Sequence, residues 1–300
     1  MRILITTDEN FSQHAAVCIA SIIANNPHRH LDIRIASLGL TDATKSRLRE
    51  CVNRDQVDLT IIDFDVKKLD EYPEIRAYKK NIYLRLWVDD FFPENDVDKV
   101  LYLDADTINV NPLSPLFSID LGSHLFGAVT IPGATSQWRC GLPPSAEYFN
   151  SGVLLFNLPE WRKENPRQTI INFLNHYSSI AFNPDQDALN GCFSMRRFRL
   201  AYRFNAITPF FRKESFASLP ASEISATREN VAIVHFNGRA KPWMRGCAHP
   251  YTKRYLEYRN HTPWKNAKLN GTWLDDIKRQ IRRWIGLETF IELNNLNGIS

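Results

Sequence analysis

The chain has few of the features that would place it in a specialised class. Its five cysteines, Cys18, Cys51, Cys140, Cys192 and Cys247, are scattered, odd in number and without a C-x-x-C pair. That spacing argues against a disulfide framework or a zinc cluster and fits a reducing cytoplasm, with each thiol an ordinary packed residue. No apolar run approaches the ~18 residues of a membrane span, so a soluble or peripheral protein is expected. The opening Met1-Arg2-Ile3-Leu4-Ile5-Thr6-Thr7-Asp8 is strand-like and lacks the pattern of a secretory signal. Internal repeats and low-complexity segments are also missing. The net charge is only +4, and no basic stripe interleaved with aromatics marks a nucleic-acid binder.

What is present suffices for a core: 44 % of residues are hydrophobic and 12 % aromatic, which suits one large or two modest domains. Arg2 to Thr7 predicts a strand, followed by the polar turn Thr7-Asp8-Glu9-Asn10 and a helix through Ala15 to Ala24 with Ser12 as its cap. Leu31 to Ala36 alternates like a strand, Thr41 to Cys51 is helical with Thr41 as cap, and Val57 to Phe64 is strand again. This β-α-β-α-β order implies an α/β fold with a mainly parallel sheet, helices on both faces, and ligands beyond the carboxyl ends of the strands. Further on, Ile82 to Phe92 predicts a helix, Ile131 to Pro144 a loop or flap, Tyr148 to Asn157 a strand, and Pro159 to Tyr177 a helix around Pro166.

Between these elements stands VLYLDADTINV, residues 100–110, where two acids interrupt a run that otherwise suits a buried strand. In a strand, Asp104 and Asp106 emerge on one side and Ala105 on the other. Two neighbouring carboxylates oppose joint ionisation, so the pair calls for a cation; a divalent ion such as Mn²⁺ or Mg²⁺ suits hard oxygen ligands. The alternative is that the strand ends at Asp104 and both acids are solvated turn residues.

Four other stretches place polar groups at element ends. In Thr7-Asp8-Glu9-Asn10, Asp8 and Asn10 suit either a nucleoside contact or a turn and helix cap. Phe149-Asn150-Ser151-Gly152 puts a glycine inside a strand, which marks a bulge or close backbone approach, beside an amide able to donate and accept. In Asn183-Pro184-Asp185-Gln186-Asp187, either acid suits the cap of a helix opening at Asp187, whereas Gln186 has no such default role. Finally, VAIVHFNGRAKPW delivers His235 from a short apolar strand, as a core residue or a metal ligand, followed by Gly238 and the point charge of Lys241.

LDAD, FNSGVLLFN, NPDQDALN and HFNGRAKPW, in this order and at about this spacing, resemble glycosyltransferase family 8, most of all the bacterial lipopolysaccharide galactosyl- and glucosyltransferases. The resemblance spans roughly residues 2 to 245. It implies a GT-A nucleotide-sugar transferase fold, a UDP-hexose donor, Mn²⁺ and transfer with retention of anomeric configuration. Asp104, Asp106 and His235 would be the metal ligands; Asp8 and Asn10, with the adjoining Thr7, would contact the uridine. Arg85 would reach the donor sugar and nucleotide, Asn150, Asp185 and Gln186 the sugar, and Gly238 and Lys241 the diphosphate, with Ala105 and Ser151 as donor-contacting neighbours. In that scheme Arg85, Asn150, Asp185 and Gln186 would be the catalytic set, with Asp185 and the Gln186 amide oxygen stabilising the oxocarbenium ion. One departure is that Gly127 to Gly133 carries no acid, where related chains have one that bears on the donor sugar.

A catalytic domain over 1–248 is thus expected, followed by a basic, aromatic tail over 249–300. The charge excess lies there: residues 251–300 hold nine Lys/Arg and five Asp/Glu, while the first 250 balance at 28 each. Trp273, Leu274, Ile277, Ile281, Trp284 and Ile285 share one helical face, with Lys278, Arg279, Arg282 and Arg283 on the rest, a pattern that suits an anionic membrane surface or packing on the core. The resemblance implies attachment at the inner leaflet of the plasma membrane, where a glycolipid acceptor resides; the acceptor would meet the loop Ile131 to Tyr148 and the region Phe210 to Ser225. Two competing readings are a self-glycosylating or carbohydrate-binding scaffold of the same fold, and a haloacid-dehalogenase-type phosphatase with Asp104 as nucleophile. The latter needs a later acid pair, and only Asp275-Asp276 is available.

Overall fold

A computed structural model of the chain describes residues 1–52, 54–76, 78–286 and 289–292. The opening run forms β1 (Arg2–Thr6), β2 (Leu31–Ser37) and β3 (Val57–Asp63), linked by α1 (Ser12–Asn25) and α2 (Asp42–Arg49). Alternation decides which layer each side chain enters: Ile3 and Ile5 pack with Ala15, Val17 and Ile19 of α1, while Leu4 faces the opposite layer with Tyr102 and Trp161. Thr41 caps α2 as expected, accepting from the Thr44 N–H. Ser12 does not cap α1: Phe11 occupies that position, and the Ser12 hydroxyl donates instead to the Glu9 carbonyl at 2.9 Å.

The main sheet has seven strands in the order β3-β2-β1-β4-β7-β6-β8, with β4 (Lys99–Asp104), β6 (Phe126–Thr130), β7 (Phe149–Asn157) and β8 (Arg197–Arg199). Its first four strands are parallel, and β7 runs antiparallel between β4 and β6. A smaller sheet, β5-β10-β9, joins β5 (Thr107–Asn109), β9 (Ala206–Ile207) and β10 (Ile233–His235). Because β1 has β2 on one side and β4 on the other, the strand order reverses at β1, the usual place for a ligand crevice in such sheets.

The expected helix over Ile82 to Phe92 is instead a 3₁₀ segment, Lys80–Trp87, followed by the short α3 (Val88–Phe91). Four consecutive residues, Tyr83 to Leu86, are buried, so the segment packs on all sides and turns Arg85 inward. After α4 (Ser114–Phe117), the helix expected around Pro166 splits into α5 (Leu158–Glu164) and α6 (Arg167–Tyr177). Asn165 between them adopts a left-handed φ of 47°, ending α5 before the proline. The helix expected to open at Asp187 begins one turn earlier, as α7 (Pro184–Phe193), because Pro184 suits the first helical position. The remaining helices are α8 (Ala221–Glu229), α9 (Thr252–Asn260) and α10 (Trp273–Trp284).

In α10 the polar side faces the body. Arg283 donates to the Gly246 carbonyl at 2.7 Å and Asp276 lies against Gly246, while Trp273, Leu274, Ile277, Ile281, Trp284 and Ile285 are exposed, Trp284 at 87 %. An amphipathic helix docked on a core does the reverse. None of the described helices is long and apolar enough to cross a membrane. Residues 293–300, the end of the expected tail, lie outside the described ones.

Candidate active site

The paired acids do not share a strand. Asp104 ends β4, Ala105 and Asp106 make a turn, and the chain leaves the main sheet for β5 of the smaller one. Ala105 packs in the core, away from the acids, but Asp106 is aimed by the passage between two sheets and not by the strand alternation that the sequence suggested. Asp104 does share a face with Tyr102, whose hydroxyl donates to Asp104 Oδ1 at 2.6 Å and meets Thr6 Oγ1 at 3.0 Å.

The small sheet brings His235 to this turn. In the β10–β5 register His235 pairs with Thr107, and the next residue, Phe236, donates its N–H to the Asp106 carbonyl at 3.0 Å. Imidazole Nε2 thereby stands 3.2 Å from Asp106 Oδ1 and 3.8 Å from Asp104 Oδ2. One ligand atom from each of Asp104, Asp106 and His235 lies within 4.8 Å of the others. His235 Nδ1 meets Asn205 Oδ1 at 3.1 Å, a contact in which Nδ1 donates, and in the neutral ring this leaves the Nε2 lone pair toward the carboxylates. A lone pair facing two anions is repulsive unless a cation stands between them. The donor set of two carboxylates and one imidazole therefore fits a divalent ion.

β7 completes the floor. It runs antiparallel to β4, so its first residues lie beside the end of β4, and Gly152 passes under the cluster: a Cβ there would overlap both His235 and Asp104. Arg85, 7 % exposed, reaches Asp104 Oδ1 at 2.9 Å and Asp185 Oδ2 at 3.2 Å, and donates to the Ser151 carbonyl and hydroxyl. Burial opposes its charge, but Asp104 and Asp185 outweigh burial and raise its pKa. Burial pushes the Asp185 carboxyl upward against the pull of Arg85, while the Ser151 hydroxyl donates to it at 3.0 Å.

Gln186 is already engaged. Its Oε1 accepts from Asn150 Nδ2 at 3.0 Å and the Ser151 N–H at 3.1 Å, and its Nε2 donates to Tyr148 at 2.9 Å. Tyr148 in turn donates to Asp187, whose other oxygen accepts from the N–H groups of Phe182 and Asn183, ahead of α7. Lys241 donates to Asp106 and to the Phe236 carbonyl. Burial works against the Asp106 carboxylate, but Lys241 prevails and holds it well below the ordinary range.

The other expected residues lie around this centre. Thr7 is buried and extends the β1–β2 ladder, Asp8 accepts from the Phe11 N–H at 3.0 Å with Lys79 3.8 Å away, and Asn10 is exposed. Asp8 thus takes the turn role at the carboxyl end of β1, next to the end of β4 in the Thr6–Asp104 register. Gly238, after β10, has a φ of 78°, which explains a glycine there. Asn205, Tyr102 and Tyr148 were not among the expected site residues, Tyr148 entering only as the end of the strand to Asn157 and of the acceptor loop. Tyr102 was findable two residues before Asp104 on the same strand face; Asn205 lies in no pattern that its neighbours reveal.

Burial pushes the Cys18, Cys51, Cys140 and Cys192 thiols up to about 12, so none of these is a poised nucleophile. Asp275, half of the only later acid pair, caps α10 through a reciprocal contact with Thr272, and no phosphatase-type acid site forms there.

Comparison with known proteins agrees with this arrangement. The chain is 28 % identical over 270 residues to general stress protein A of Bacillus subtilis, covering 88 % of this chain and 94 % of that one. It is 28 % identical to a lipopolysaccharide 1,2-glucosyltransferase of Escherichia coli (86 % of this chain, 78 % of the other). It is 25 % identical to the lipopolysaccharide 1,3-galactosyltransferase of Salmonella typhimurium (98 % and 86 %). Among solved structures, the galactosyltransferase LgtC in complex with donor and acceptor sugar analogs superposes with a TM-score of 0.75 at 26 % identity, covering 89 % of this chain and 99 % of that one. The architecture is accordingly the GT-A fold. Residues 2–247 match the profile of glycosyl transferase family 8, and the chain belongs to that family.

Proposed function

We propose that the protein is a retaining hexosyltransferase that moves galactose or glucose from a UDP-sugar to a saccharide acceptor of lipopolysaccharide or another cell-surface glycan, with Mn²⁺ as its ion. The observation that carries this is the Asp104–Asp106–His235 cluster at the strand-order reversal of a family 8 chain. The relatives named as lipopolysaccharide glucosyl- and galactosyltransferases support the donor and acceptor classes.

Asp104, Asp106 and His235 would hold a divalent ion, which when bound would supply Lewis-acid charge to the departing diphosphate. Lys241, held by Asp106 and the Phe236 carbonyl on the glycine-containing loop after β10, adds a second positive charge there. Arg85 fixes Asp104 and Asp185 relative to each other, so the carboxylate that faces the developing oxocarbenium ion is tied to the metal ligand. Gln186, its oxygen occupied twice, holds Asn150 and the β7 backbone in place. Asp185 is itself held by Arg85 and Ser151, which favours front-face attack within an ion pair over a covalent intermediate.

The test is UDP release from UDP-galactose and UDP-glucose with Mn²⁺, Mg²⁺ or EDTA, in wild type and Asp106→Ala. Mn²⁺-dependent release with one donor, lowered at least ~100-fold in the variant, is expected, since a missing charge-stabilising group costs rates of that order. No release and no UDP binding with any metal would overturn the reading.

The outward apolar face of α10, with Lys278 and Arg282 beside it, supports attachment to an anionic membrane surface, at the cytoplasmic face where a glycolipid acceptor would be met.

A further inference from the structure

We propose that Asn205 is a positioning residue for His235, and that two side-chain amides carry to the imidazole a donor–acceptor polarity set by the backbone N–H of Gly152. The argument starts from a group that cannot be reversed. Gly152 N–H donates to Asn150 Oδ1 at 3.0 Å, and a backbone N–H only donates, so Asn150 must present its oxygen. Asn205 Nδ2 donates to that same oxygen at 2.8 Å. Asn205 therefore turns Oδ1 toward His235 Nδ1, 3.1 Å away, and an amide oxygen only accepts. Nδ1 must carry a hydrogen, so in the neutral, metal-ligating ring the lone pair falls on Nε2, the nitrogen facing Asp104 and Asp106. Flipping either amide would set donor against donor or oxygen against oxygen along the chain.

Asn205 is fully buried, between the 3₁₀ turn Tyr202–Phe204 and β9. A buried amide is costly unless both ends are bonded, and here both ends are spent on Asn150 and His235. The chain also continues away from the metal, since Asn150 Nδ2 donates to Gln186 Oε1. Two amides, Asn205 and Asn150, thus link the ligand imidazole to Gln186, the residue beside Asp185. Groups that orient a ligating histidine typically contribute ten- to a hundredfold to metal affinity.

The inference rests on the metal reading above, and the experiment separates the two. Mn²⁺ binding to the full chain is followed by electron paramagnetic resonance with UDP present, reading affinity and the nitrogen hyperfine coupling of a ligated imidazole. Wild type, His235→Ala, Asn205→Leu and Asn205→Ser are compared, with circular dichroism as the check on folding. Wild type should show nitrogen coupling that His235→Ala lacks. Both Asn205 variants should remain folded, bind Mn²⁺ about 10-fold or more weakly, and lose or diminish the coupling. A purely structural role would lower thermal stability and leave the nitrogen in the metal's shell. Affinity and coupling equal to wild type in a folded Asn205 variant overturn the inference; if the leucine variant does not fold, the smaller serine decides. A wild type that binds no Mn²⁺, or binds it without nitrogen coupling, overturns the metal reading instead.

Discussion

Gly152 runs so close beneath His235 that the space for a single additional carbon is taken by the imidazole and by Asp104. The backbone of β7 is thereby part of the candidate metal site, although it contributes no ligand.

Gly152→Ala is expected to push His235 away from the acids. Overpacking of this kind costs about 1–3 kcal/mol of stability. Metal-dependent UDP release should fall at least ~10-fold, the order found when a metal ligand's support is disturbed. Urea denaturation and UDP release measured on the same preparation check both parts. Wild-type values in both would mean that the backbone has room to move.

Arg85→Met removes the cation shared by Asp104 and Asp185 and leaves two carboxylates facing each other. Breaking a buried pair by deleting one partner costs about 3–5 kcal/mol. Part of this loss should return when Mn²⁺ is added, because the ion supplies charge to Asp104 but not to Asp185. Thermal melts with Mn²⁺ and with EDTA read the difference, and equal shifts in wild type and variant would contradict the shared role.

Acid should weaken the fold through His249. Burial among Phe211, Phe236, Tyr251 and Phe290 lowers its pKa from 6.5 to about 3. Above pH 6.5 neither state binds the proton and nothing is lost. Between 6.5 and 3 the unfolded chain takes it up and the native state does not, so stability falls by about 1.4 kcal/mol per pH unit for this group. His14, lowered to about 4 by burial, acts in the same direction. Denaturation free energies at pH 7 and pH 5 should differ by about 2 kcal/mol more in wild type than in His249→Phe.

The tail prediction uses the outward face of α10. Ile277→Glu together with Trp284→Glu should reduce sedimentation with phosphatidylglycerol vesicles at least ~10-fold, while UDP release in solution stays near wild type. Wild-type binding should also weaken steeply as salt is raised, because screening acts on Lys278 and Arg282. Unchanged binding in the double variant would assign attachment to another surface.

The opening of the fold was legible, since β1 to β3 and the helices between them follow local alternation and Thr41 caps α2, although Ser12 does not cap α1. The four polar stretches were also legible as places where acids, amides and a histidine interrupt apolar runs. Other parts were not. Arg85 was expected on a helix over Ile82 to Phe92, whereas it lies in a 3₁₀ segment in which Tyr83 to Leu86 are all buried. Gln186 reads in sequence as a group with a free amide oxygen, whereas β7 and Asn150 claim that oxygen from 35 and 36 residues away.

The sequence by itself pointed to an acid pair and a histidine at the ends of apolar runs, because an unpaired charge buried mid-strand is costly. Only tertiary structure decided how they meet. Asp104 ends a strand of the main sheet and Asp106 lies in the turn that leads to the smaller one, His235 arrives through its register with β5, and Asn205 reaches it from a turn without any motif. The physical reason is that local periodicity fixes the face on which a side chain leaves its own strand, while the pairing of distant strands fixes which other side chain it finds there.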